Sequence, residues 1–103
     1  MGRTRPRNIN HQIREKIVKK TFEDLEFKAR PNFGQQAILH FDNRYGVSVL
    51  LGKQFYSDGQ KTYEVGILYE GKLASGTPFP DHVMGWRTPE QISEIMKILQ
   101  DLE

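Results

Sequence analysis

The residues of this chain that could do chemistry are few and scattered. Its three histidines, His11, His40 and His82, fall in three different segments. Only His82 has an acidic neighbour, Asp81, and an Asp-His pair in a loop is half of a metal or acid–base site. No second residue has a position fixed beside it by the sequence. Glu23, Asp24 and Glu26 form an acidic cluster, but strand alternation would send neighbours to opposite faces, which fits a solvated edge better than a cation cage. Ser48, Ser57, Ser75 and Ser93 have no nucleophile-elbow or phosphate-loop setting. The chain lacks cysteine, which excludes disulfides, thiolate catalysis and cysteine zinc sites, and suits a reducing compartment. These patterns predict no catalytic residue, metal or cofactor, and a protein that is not an enzyme.

Binding chemistry is better represented. Tyr45, Phe55, Tyr56 and Trp86 sit in or beside segments that read as loops, and together with Asp81 and His82 they are the candidate protein-binding residues. A second candidate surface is cationic. Arg3, Arg5, Arg7, Arg14, Lys16, Lys19 and Lys20 face only Glu15 within residues 1–20, a net +6, whereas the remainder carries −4. The overall +2 therefore hides a basic arm on a mildly acidic body. Such an arm could contact nucleic-acid phosphates through charge alone.

The elements that must position these residues follow from periodicity. At 103 residues, 37% hydrophobic and 27% charged, the chain has one domain's worth of core. It has no apolar run long enough to span a bilayer and no signal-peptide pattern, so a cytoplasmic protein without membrane contact is expected. Ile9, Ile13, Ile17 and Val18 recur at helical spacing, predicting a helix over 9–20 after a mobile start. Its narrow stripe needs a docking surface: the body, a partner, or a neighbouring copy in a homo-oligomer. Strands are predicted where Leu25, Phe27 and Ala29, then Ala37, Leu39 and Phe41, alternate with polar positions. Others are predicted at "VSVLLG", at "TYEVGILYE" and, after a reverse turn at 70–71, at "KLAS". Residues 53–61 and 76–87 read as long loops. Thr88-Pro89-Glu90-Gln91 reads as a capped helix start, and Ile92, Ile95, Met96, Leu99 and Leu102 give one apolar face over about 88–102.

The fold class predicted is α+β. An antiparallel meander of four to five strands carries the C-terminal helix on one face, with residues 1–20 as a basic helical arm before a single domain at 21–103.

Residues 21–102 resemble a family of small uncharacterised bacteriophage and prophage proteins. The resemblance is carried by "TFEDLEFKARPNFG", "FDNRYGVSVL", "TYEVGIL" with "EGKL", and "TPFPDHVMGWRTPEQI". Within the last, Thr77, Pro78, Asp81, Val83, Gly85 and Glu90 match the family's TP, D-x-V-x-G and acidic helix-start pattern. Gly76 and Arg87 depart from it, and twenty residues stand in front of the matched part. The resemblance implies a phage accessory protein of no established activity, so it carries over no catalytic residues. The absent catalytic constellation, the small size and the long loops at 53–61 and 76–87 lead to the expectation of a non-enzymatic protein in the host cytoplasm that binds a host protein, as an inhibitor or anti-defence factor. Nucleic-acid binding through the arm and self-assembly are the alternatives. Leu102-Glu103 has the form that a cloning remnant could take, an alternative to reading Leu102 as part of the helix face.

Overall fold

The computed structural model describes residues 18–31, 34–52, 55–74, 77–79 and 81–102. The helix expected over 9–20 lies almost entirely outside them, as do five of the seven arm cations.

Six strands, β1 (Lys28–Arg30), β2 (Gly34–His40), β3 (Tyr45–Leu51), β4 (Tyr63–Tyr69), β5 (Lys72–Leu73) and β6 (Val83–Arg87), are followed by helix α1 (Pro89–Gln100). All pair antiparallel, in the order β1-β2-β3-β4, with β5 and β6 sharing the far edge of β4. Ile67 marks the handover on that edge. Its N–H donates to the carbonyl of His82, while its carbonyl accepts from Ala74. The α+β class, the antiparallel sheet and its C-terminal helix are thus as expected, while a sixth strand, β6, goes beyond the four to five expected and returns to the edge of β4.

Alternation determines what each side of the sheet meets. Ala37, Val49, Val65 and Met84 form one cross-strand row, and Leu39, Val47 and Ile67 the next. Of these only Leu39 keeps more than slight exposure. Ile92, Ile95, Met96 and Leu99 of α1 close over them as one buried cluster. The helix starts as its residues dictate. Thr88 Oγ1 accepts the Gln91 N–H at 3.3 Å, Gln91 Oε1 accepts the Thr88 N–H at 2.9 Å, and Pro89 takes the first turn. At its other end Asn43 Nδ2 donates to the carbonyls of Leu99 and Leu102, both at 2.7 Å, so the β2–β3 turn caps the helix C-terminus.

Two expectations need correction. Leu25 and Phe27 do not belong to a strand, because only Lys28–Arg30 pairs with β2. A 3₁₀ turn at Phe22–Asp24 draws the chain towards the core instead, where Phe22, Phe27 and Tyr63 pack with ring centroids 5.2–5.9 Å apart. Nor is 76–87 a loop throughout, since its last five residues are β6. Glu70 and Gly71, both at positive φ, make the expected reverse turn. Among the described residues no helix is long and apolar enough to cross a membrane.

Candidate functional site: an open sheet face with an aromatic corner

The helix covers one side of the sheet. The other side is defined by three rows that the strand register sets out. Lys28, Gln36, Leu50 and Glu64 form the first, Ile38, Ser48, Gly66 and Val83 the second, and His40, Gly46, Leu68 and Leu73 the third. Ile38 is 52% exposed and Leu73 57%. Gly46 and Gly66 are close-approach positions: a Cβ on Gly66 would lie 3.3 Å from Leu73 Cδ2, and one on Gly46 would lie 3.0 Å from His40 Nδ1. Leu73 therefore leans over Gly66 and His40 over Gly46, and the face mixes apolar Ile38, Leu50, Leu68, Leu73 and Val83 with polar Lys28, Gln36, His40, Ser48 and Glu64.

At one corner of this face stand Tyr56, 63% exposed, and Trp86, 57% exposed. Their positions are built, not loose. Between Tyr63↔Arg87 and Val65↔Met84, β6 has one residue more than β4, a bulge that sets Gly85 and Trp86 together opposite Glu64. Trp86 takes a left-handed φ of 58°, a region that costs a non-glycine residue roughly 1–2 kcal/mol. Its N–H donates to the Tyr56 carbonyl at 2.8 Å, and the Tyr56 N–H donates to Glu64 Oε1 at 3.0 Å. Tyr56 lies directly over Gly85, where any Cβ would overlap the tyrosine's own. Arg87 Nη1 donates to the Gly85 carbonyl at 2.9 Å.

The segment presenting Tyr56 is held from within. The Ser57 hydroxyl, 2% exposed, donates to the Thr62 carbonyl at 2.6 Å and accepts from the amides of Gly52 and Gly59. Asp58 Oδ1 accepts the amides of Gln60, Lys61 and Thr62 at 2.7–2.9 Å. Those three backbone donors, Gln60 foremost, hold the Asp58 carboxyl far below the usual carboxylate range. The negative charge of Asp58, after burial, helps to push the Tyr63 phenol up.

Of the aromatic candidates, then, the structure brings Tyr56 and Trp86 together. Phe55, next to Tyr56 in the chain, is half-buried. Tyr45 is elsewhere: it opens β3 at the far end of the sheet, its ring 4.8 Å from that of Tyr69. Asp81 and His82 are exposed at the start of β6, and among the described residues no three His, Cys, Asp or Glu side chains gather as a metal cluster would. Lys19 pairs with Asp101 at 3.1 Å, and the Lys20 backbone is clamped by the Gln100 amide, which donates to its carbonyl and accepts its N–H, both at 2.8 Å. Arg3, Arg5, Arg7, Arg14 and Lys16 lie outside the described residues.

Ile38 and Leu73 are the surface residues that aromatic-led reasoning missed. The signal was present for Ile38, an isoleucine in the polar phase of β2. No protein-family model matches the chain, and no curated protein or solved structure is significantly similar to it.

Proposed function

We propose that this chain acts by binding a protein partner, without chemistry of its own, and that Tyr56 and Trp86 anchor the contact. One observation carries this. The only tryptophan of the chain is held in a left-handed conformation, in a bulge, with more than half its surface in water. Strain at an exposed large side chain does nothing for the core, and backbone strain concentrates where it positions groups for function. Aromatic anchors beside exposed Ile38 and Leu73, with polar Gln36, Ser48 and Glu64 between, match the composition of protein-binding surfaces.

For a phage-type accessory protein, whose family resemblance carries no established activity, the partner we propose is a protein of the bacterial host cytoplasm, bound as an inhibitor or anti-defence factor would bind it. Affinity capture from bacterial lysate with the full chain tests this. A host protein should be retained by the wild type and lost with Trp86→Ala and Tyr56→Ala, while both variants keep the wild-type thermal midpoint to within a few degrees. Retention undiminished in both variants would remove the anchor role, and no retained protein would remove the reading.

A further inference from the structure

We propose that the Tyr56–Trp86 corner receives a proline-rich segment of the partner, held as a polyproline II helix. The inference rests on the protein-binding reading above and adds the chemistry of the segment bound.

The main-chain groups at the corner are already used. Trp86 N–H donates to the Tyr56 carbonyl, Tyr56 N–H donates to Glu64, and the Gly85 carbonyl accepts from Arg87. A strand added alongside, or a chain terminus held by free amides, finds those bonds taken. What stays unpaired is at the tips of the side chains. Among the described residues, neither the Trp86 indole N–H nor the Tyr56 hydroxyl has a hydrogen-bond partner, and neither ring contacts another ring. The corner therefore offers two aromatic surfaces, each with a donor at its tip.

Other modes of peptide recognition fit worse. An amphipathic helix needs a continuous apolar groove, and the row leading away from the bulge reads Glu64, Leu50, Gln36, Lys28. A phosphorylated or acidic motif needs clustered arginines. Arg87 binds into the corner, but Glu64 does too, so positive charge does not accumulate there. Size also limits the occupant. Tyr56 and Trp86, 63% and 57% exposed, present on the order of 300 Å², well short of the roughly 800 Å² per partner of a folded interface. A short linear segment matches that extent.

A proline-rich segment supplies what the corner lacks. Its pyrrolidine rings lie on the aromatic faces, and proline has no N–H of its own to satisfy. Its carbonyls are not bonded within the polyproline II helix, so they are free to accept from the indole N–H and the phenol. Rings and carbonyls recur every three residues, about 9 Å. The segment is ordered before it binds, and the strained bulge has already set Trp86, so little freedom is lost on contact.

The purified full chain and synthetic decaproline test this without a host lysate. Trp86 is the only tryptophan, so its fluorescence and its indole N–H resonance report on the corner alone. Both should shift saturably with decaproline, with a dissociation constant between ~10 μM and ~1 mM. A Gly-Ser repeat of the same length, decalysine and decaglutamate should leave them unchanged. By calorimetry, Trp86→Phe, which keeps a ring and removes the N–H, and Tyr56→Phe should each weaken binding about threefold or more. Trp86→Ala should weaken it at least about tenfold, and Lys97→Glu on α1 should change nothing, each variant keeping the wild-type thermal midpoint. No shift up to ~1 mM decaproline, an equal shift with the Gly-Ser repeat, or binding undiminished by Trp86→Ala overturns the proposal. So does a response to decalysine or decaglutamate in place of decaproline. The protein-binding reading is decided separately, because capture of a host protein through Trp86 can succeed where decaproline fails.

Discussion

The two faces of the sheet are made from alternate residues of the same strands, yet they answer to different demands. On the covered face Val47, Val49, Val65 and Ile67 have no exposed surface and lie under four buried side chains of α1. On the open face Ile38 and Leu73 are apolar and more than half exposed, beside Tyr56 and Trp86. Of the seven exposed large hydrophobic residues among those described, four belong to this side, where they share one surface instead of lying singly. Apolar residues on the first face are explained by folding. Ile38 and Leu73 on the second are not.

Substitutions on the two faces should differ in what they cost. Ile67→Ala and Leu99→Ala, each removing a side chain without exposed surface, should cost about 2–5 kcal/mol, read as a fall in the denaturation midpoint. Ile38→Ala and Leu73→Ala should stay within about 0.5 kcal/mol of wild type. Equal losses on both faces would mean that the open face is part of the core.

A smaller effect sharpens the covered side. Asn43 donates to two helix-end carbonyls and also accepts the Tyr45 N–H at 3.2 Å. Asn43→Ala leaves these groups without their protein partner in a half-buried place and should cost about 1–3 kcal/mol. Asn43→Asp should not restore it, since a carboxylate cannot donate to the carbonyls. Urea titration distinguishes the two cases from wild type.

The covered face was readable from sequence because its determinants are local. Thr88, Pro89 and Gln91 settle the helix start within four residues, and Val65 and Ile67 alternate with Glu64 and Leu68 along one strand. β6 was hidden because Gly85 and the extra residue at Trp86 break its alternation just where a two-residue period would reveal it. The aromatic corner was hidden for a different reason. Tyr56 and Trp86 are thirty residues apart in the numbering, and the contacts joining them run through backbone groups and through Gly85, none of which leaves a periodic trace. Leu25 and Phe27 do alternate, but burying Phe22 and Phe27 against Tyr63 outweighed two more strand pairs.

On the open side, Trp86→Gly should raise stability while it removes binding. Glycine adopts φ near 58° without the Cβ penalty, and the exposed indole contributes little packing, so a gain of about 0.5–1 kcal/mol is expected. Capture of a host protein should be lost in the same variant. A destabilised Trp86→Gly protein would instead assign the indole to the fold.

The smallest effect concerns the segment that holds Tyr56. Asp58 is exposed, and its folded-state pKa is depressed because three amides point at its carboxylate. A depressed carboxylate contributes order that is fully present above the unfolded value of about 3.9 and fades as pH falls below it towards the folded value. Acidification from pH 7 to about 3 should therefore loosen the amides of Gln60, Lys61 and Thr62 before the sheet responds. Hydrogen exchange at those three amides, compared with Val47 and Ile67 on the covered face, measures this directly. In Asp58→Asn the three amides should already exchange faster at pH 7 and should lose most of their acid dependence, because a neutral amide oxygen accepts the same bonds without the charge. Unchanged protection in that variant would mean that the Ser57 hydroxyl, bonded to Gly52, Gly59 and Thr62, orders the segment by itself.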